Sequence, residues 1–279
     1  MGCIPANRPI RQRRGSRCKV PEAYKIGPQT GPQTDALDAR RFCEELLIGG
    51  GRGGGKTYYL LLDYAIDIDE YGKDWQGILF RKTYPQLEEV IRISQNIFPN
   101  MFAKKDMWRS GSHTWVFPNG ATLKLRHLDT DSDALNYQGH SYSWIGYDEL
   151  THWETDSSYK RLFATLRGAN KKVVRRIRST ANPSGLGLSW VRARFVEPAP
   201  AGYQLIHDPE TGMKRMFIPS NIEDNKILLD ADPNYINRIL ASAQGNEQLL
   251  KAWRWGDWNV FFGKFFEMFD PKVHRADPY

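Results

Sequence analysis

The stretch Gly49-Gly50-Gly51-Arg52-Gly53-Gly54-Gly55-Lys56-Thr57 constrains this chain more than any other. It contains the pattern G-x-x-x-x-G-K-[ST], follows the apolar run Leu46-Leu47-Ile48, and opens a segment of helical character from Tyr58 to Tyr71. Strand, glycine loop and helix in that order describe a phosphate-binding loop. A polyphosphate needs several convergent backbone N–H donors, and a β-carbon would hold the main chain away or forbid the required dihedrals. Gly50, Gly51, Gly53, Gly54 and Gly55 then form the cradle. Lys56 reaches the β- and γ-phosphates, Thr57 offers its hydroxyl to Mg²⁺, and the helix N-terminus adds partial positive charge. The competing reading, a flexible loop that happens to end in Lys-Thr, lacks a reason for the flanking strand and helix.

With 279 residues, 41% hydrophobic and 25% charged, the chain can bury a full core, and one α/β domain with appendages is expected. A net charge of +7 suits a polyanionic partner without requiring one. Cys3, Cys18 and Cys43 lack the close spacing of a zinc site or disulfide framework, which points to a reducing compartment. No apolar run approaches the ~18 residues of a membrane span, and the basic start lacks the apolar core of a secretory signal. A cytosolic protein is expected.

Residues 1–27 read as a basic flexible arm, carrying Arg8, Arg11, Arg13, Arg14, Arg17 and Lys19, that contacts DNA or a partner or is a solvated tail. The duplicated Gly-Pro-Gln-Thr at 27–34 leads into a helical stretch from Asp35 to Cys43. Gly77 to Arg81 is a compact apolar run suited to a buried parallel strand, followed by a helix over Pro85 to Ile97. His113 to Phe117 and Ala121 to Leu128 flank Pro118-Asn119-Gly120, a hairpin in which Asn-Gly supplies positive φ. Further strands are expected at Ser143 to Tyr147 and Val173 to Ser179, with a helix at Tyr159 to Leu166 between them. A hairpin of Tyr203 to His207 with Lys214 to Ile218 follows. Helices at Pro233 to Ser242 and Glu247 to Trp253 complete a mainly parallel sheet with helices on both faces.

A phosphate loop alone does not cleave what it binds. Trp144-Ile145-Gly146-Tyr147 is an apolar strand delivering Asp148 at its C-terminal end, where a carboxylate can hold Mg²⁺ directly or through water. Glu149 projects differently and is placed to polarise an attacking water. Asn182, in Ser179-Thr180-Ala181-Asn182-Pro183-Ser184-Gly185, ends the next strand; it either couples the γ-phosphate to the carboxylates or forms an ordinary turn. Arg52, inside the loop, either reaches the γ-phosphate as an arginine finger or pairs with a carboxylate structurally. Arg81 and Gln86 read as coupling or core-edge groups, and the six histidines show no metal-ligand spacing.

These stations, in this order, resemble the ATPase domain of the large terminase subunit of tailed double-stranded DNA bacteriophages. The resemblance covers roughly residues 28–270 and includes Phe80-Arg81-Lys82-Thr83, Asp224-Asn225 and Gly256-Asp257-Trp258. It implies a P-loop NTPase of the additional-strand, catalytic-glutamate type spanning residues 28–258, with ATP and Mg²⁺ as cofactors. Its implied task is driving double-stranded DNA into a prohead, as a homo-oligomeric ring, with portal protein and small terminase subunit as partners, in the host cytoplasm. It assigns Lys56 and Thr57 to phosphate and Mg²⁺, Asp148 to Mg²⁺, Glu149 to water activation, Arg52 to a cis finger and Asn182 to coupling. Gln33 is similar to the family's adenine-contacting glutamine, with Gln29 the competing position. The family continues into a nuclease domain; residues 259–279 read as a tail toward it, Asp257, Asp270 and Asp277 are not taken as its site, and no DNA cleavage is expected from this chain alone. A helicase-type translocase, or a catalytically weak assembly fragment, are the alternatives.

Overall fold

The computed structural model describes residues 26–260. The expected basic arm and the tail fall almost wholly outside the described residues, as do Asp270 and Asp277.

The apolar runs form the strands β1 (Glu45–Gly50), β2 (Gln76–Arg81), β3 (Trp108–Arg109), β4 (Thr114–Val116), β5 (Thr122–His127), β6 (Trp144–Tyr147), β7 (Arg176–Ala181), β8 (Ile206–His207) and β9 (Lys214–Ser220). They make one sheet in the order β3-β4-β5-β2-β6-β7-β1-β9-β8. The central run β5-β2-β6-β7-β1-β9 is parallel throughout, while β3-β4-β5 and β8-β9 are antiparallel margins. β7 lies between β1 and β6, which is the additional strand of the expected class. The middle strands β1, β6 and β7 are buried along their whole length, so they read as unbroken rather than alternating patterns.

Helices cover both faces, as expected. One face carries α1 (Pro32–Ala39), α2 (Lys56–Ala65), the short α3 (Ile68–Tyr71) and α4 (Tyr84–Met101). Here Leu60, Leu87, Val90 and Phe98 join a core with Leu46, Ile48, Leu79 and Leu123. On the other face α5 (Ser157–Arg161) and α6 (Leu188–Val191) and their continuations bring Tyr159, Leu162, Val191 and Phe195 onto Leu47, Ile78, Ile145 and Ile177. Each such aliphatic side chain contributes about 1.5–3 kcal/mol by leaving water. Helices α7 (Lys226–Ala231), α8 (Tyr235–Ser242) and α9 (Glu247–Trp255) follow the sheet and pack behind the glycine loop.

Several boundaries differ from the sequence pattern for identifiable reasons. The first helix starts at Pro32, where the fixed φ of proline suits the first helical position. The helix after the loop stops at Ala65, because Asp67 leaves helical dihedrals (φ −102°, ψ 1°) and its carboxylate pairs with Arg176. β7 begins at Arg176 rather than Val173, since the Arg175 guanidinium takes the Val173 and Val174 carbonyls. The turn at 118–120 is a three-residue loop in which Gly120 alone has positive φ (+88°); Pro118 cannot adopt the φ that a two-residue mirror-image turn demands. The helix at 159–166 is α5 tightened into a 3₁₀ turn over Leu162–Thr165.

Candidate active site

The glycine loop joins β1 to α2, and its last glycine, Gly55, caps that helix with φ +72°. A side chain there would also strike the Gln33 amide. Lys56 is buried at 6% exposure and donates from Nζ to the Gly51 carbonyl at 2.5 Å, so the loop is closed by its own lysine. Burial lowers the Lys56 pKa, opposed by Glu149 and Asp148.

Parallel register carries the C-terminal ends of β6 and β7 to the same edge as the loop. Asp148, fully buried, accepts from Thr57 Oγ1 at 3.1 and 3.0 Å and from Thr180 Oγ1 at 2.6 Å. Arg81, at the tip of β2, places Nε 2.8 Å from Asp148 Oδ2 as an ion pair. A hydroxyl and a carboxylate facing each other are hard oxygen donors that fit Mg²⁺. Among the described residues no group of three or more His, Cys, Asp or Glu could enclose a metal.

Glu149 sits in the left-handed region with φ +62°, a strained setting for a non-glycine residue. Its N–H donates to Thr180 Oγ1 at 3.0 Å. The Asn182 amide donates to both Glu149 carboxylate oxygens at 2.7 Å, while Asn182 Oδ1 is buried without a partner. Asn182 therefore does more than shape a turn: it fixes the carboxylate. Beside this group lies a cavity of about 620 Å³, whose lining includes Arg52, Lys56, Thr57, Tyr58, Arg81, Glu149, His152, Asn182, Leu228 and Tyr235. Burial lowers the His152 pKa against the pull of Glu149.

Two of the expected site residues have further partners. Arg52 lines the cavity, and its guanidinium stacks on Trp253 of α9, 3.5 Å from the ring centroid. Desolvation lowers its pKa, with Glu149 opposing. Its N–H donates to the Trp253 carbonyl at 2.7 Å, and behind it Gly256 approaches so closely that an added Cβ would lie 2.6 Å from the Gly51 nitrogen. Gln33 is buried with its amide used on both ends, donating to the Gly55 carbonyl at 3.1 Å and accepting from Gln29 N–H at 2.9 Å. Gln29 in turn donates to Asn225 Oδ1 at 2.7 Å, and Asn225 donates to the Gly53 carbonyl at 2.6 Å. Neither glutamine lines the cavity. The duplicated tetrapeptide thus braces the loop from behind, each copy with its own partner.

Sequence reasoning did not single out Thr180, which lies one residue before the end of β7 on the same edge as Asp148 and Arg81, where ligands of parallel sheets gather. Trp253 carried no sequence signal, because its partner lies far away in the chain.

The described fold is similar to the large terminase from a thermophilic bacteriophage, with a TM-score of 0.61, 17% identity, 90% of this chain covered and 59% of that one. The same protein in complex with ADP (TM-score 0.60, 17% identity, 90% and 60% covered) and with ATP-gamma-S (0.60, 16%, 90% and 59%) matches equally. This chain therefore spans about three fifths of the length of these relatives, and at such identities the likeness speaks for the fold. Comparison with curated protein sequences finds no match. The family described as terminase large subunit, T4likevirus-type, N-terminal, matches residues 47–250, which is more than half of the chain and includes the glycine loop from Gly49, β6 with Asp148 and Glu149, and Asn182. The chain belongs to this family of large terminase subunits, and what has been described is its N-terminal α/β domain.

Proposed function

We propose that this chain is an ATP-hydrolysing motor domain that powers translocation of viral double-stranded DNA into a prohead. The observation that carries this reading is the continuous set of contacts Thr57–Asp148–Thr180–Glu149–Asn182 along one edge of the cavity. Binding alone would need the loop and Lys56. Holding a second carboxylate, in a strained backbone and clamped by an amide, serves hydrolysis.

In this reading the loop amides and Lys56 hold the β- and γ-phosphates, and Lys56 exchanges the Gly51 carbonyl for phosphate oxygen. Mg²⁺, held by Thr57 and Asp148, would supply charge neutralisation at the phosphates. Glu149 accepts a proton from the water attacking in line, with Asn182 fixing its carboxylate, and Arg52 is the cis residue available to the γ-phosphate. Residues 28–258 form the motor domain, with residues 1–27 as a basic arm and 259–279 as a tail. Portal protein, small terminase subunit and further copies in a ring are the proposed partners, in the host cytoplasm.

The test is turnover against binding. Glu149→Gln retains ATP-gamma-S binding and loses about 10²–10⁴ in kcat, the usual share of a general base; Lys56→Ala loses binding itself. Normal hydrolysis by Glu149→Gln removes the base assignment. Strand separation of a forked duplex would move the protein to the helicases, and no turnover under any condition would leave an assembly module.

A further inference from the structure

The sheet beyond β2 is packed fully on one side only. Along β5, Leu123 and Leu125 are buried toward α4, while Thr122, Lys124 and Arg126 alternate with them and stay half-exposed on the opposite side. The covering element there is the 3₁₀ turn Asp131–Tyr137, whose Tyr137 packs on Phe80 of β2 with ring centroids 5.0 Å apart.

What this face carries is unmatched positive charge. Lys124 and Arg126 make no ion pair among the described residues, and Arg126 is held only by the carbonyls of His113 and Leu125. Burial lowers the Lys124 pKa, and Arg126 lowers it further. Lys124 Nζ lies 5.7 Å from the centre of the Tyr142 ring, and the Tyr142 hydroxyl is buried with no hydrogen-bond partner. Burial raises that phenol to about 12, so at neutral pH it is a donor. Arg167 grips the Gly139 and His140 carbonyls just ahead of Tyr142 and lines a separate cavity of about 270 Å³ with Lys73 and Asp74. Two half-exposed cations without a counter-ion are complementary to a polyanion rich in oxygen.

We infer that this face binds the phosphodiester backbone of duplex DNA, with Lys124 and Arg126 on phosphates of one strand. The inference rests on the DNA-translocation reading and gives it a contact surface, on the sheet half away from the glycine loop.

The experiment measures affinity of the full chain for a blunt duplex between 50 and 200 mM salt, with ATP-gamma-S binding as the folding control. Lys124→Ala/Arg126→Ala weakens binding by roughly tenfold and lowers the slope of log affinity against log salt by about 2, roughly one for each phosphate no longer engaged. Arg92→Ala, on exposed α4, changes the slope by less than about 0.5. An unchanged slope in the double variant, or an equal fall in Arg92→Ala, overturns the surface while leaving the DNA reading intact. Failure of the wild type to bind duplex at 50 mM salt removes that reading, and the surface with it.

Discussion

The guanidinium of Arg52 lies flat on Trp253, 3.5 Å from its ring centroid, while the Arg52 N–H donates to the Trp253 carbonyl at 2.7 Å. One residue of the glycine loop is thus held by α9 through main chain and side chain together. The backbone bond fixes where Arg52 stands, so moving its charge toward the cavity needs side-chain rotation alone. That rotation gives up a cation–π contact of about 0.5–2 kcal/mol.

A double-mutant cycle on this pair, read as ATP-gamma-S affinity, is therefore expected to show coupling of about 0.5–2 kcal/mol between Arg52→Ala and Trp253→Leu. Trp253→Phe, with a weaker ring face, falls between Trp253→Leu and the wild type. Strictly additive effects would make the stacking incidental.

Asn182 holds the Glu149 carboxylate through both oxygens. Asn182→Ala is expected to lower kcat by at least about tenfold, with ATP-gamma-S affinity changed less than about twofold, since positioning of a base acts on turnover. Asn182→Asp sets a like charge against Glu149 and falls further. Steady-state ATPase assays beside equilibrium binding separate the two constants; a loss confined to affinity would contradict the positioning role.

Beneath the site, Asp63 and Arg178 form a fully buried ion pair, Nε to Oδ1 3.3 Å, and Trp144 Nε1 donates to Asp63 Oδ2 at 2.8 Å. Removing one partner leaves an uncompensated interior charge. Asp63→Ala is expected to lose about 3–5 kcal/mol in urea unfolding.

Gly55→Ala meets two obstacles, a φ of +72° and the Gln33 amide in the path of the new Cβ. The loop must shift, so ATP-gamma-S affinity should fall by more than about tenfold while the melting temperature moves by only a few degrees. Isothermal titration and thermal melts of the same sample decide it.

The Asp208 carboxyl is partly desolvated, which alone would raise its pKa, but the N–H groups of Thr211 and Glu210 and the Arg215 guanidinium hold it down at about 2. A folded-state pKa below the unfolded value means the carboxylate stabilises the fold above about pH 4. That contribution is lost as pH falls from about 4 through 2. Asp208→Asn should flatten this part of the stability–pH curve, as followed by circular dichroism.

How much of this was legible in the sequence depends on the distance over which each residue's reason acts. Gly50 to Thr57 announce themselves because loop chemistry is local, and Asp148 and Glu149 because an apolar strand delivers them. The parallel sheet followed from the same runs. Arg52, Gln33 and Gln29 escaped because their partners, Trp253, Gly55 and Asn225, are chosen by tertiary packing. Asp67 broke the helix after the loop for the same reason: Arg176, which draws it out, belongs to a strand more than a hundred residues later. The fold was written in periodicity, and the restraints on the site were written in pairs that no window spans.

The close approach of Gly256 to Gly51, next to the Arg52–Trp253 bond, joins the end of α9 to the glycine loop backbone to backbone. The Asn221 side chain flanks this contact, its Oδ1 2.8 Å from where a Cβ at Gly256 would stand and 3.5 Å from one at Gly51. Thermodynamic linkage then runs in both directions: if filling the loop shifts α9, a load that displaces α9 changes the affinity of the loop by the same factor. Tension on this helix becomes, in that sense, a ligand of the nucleotide site.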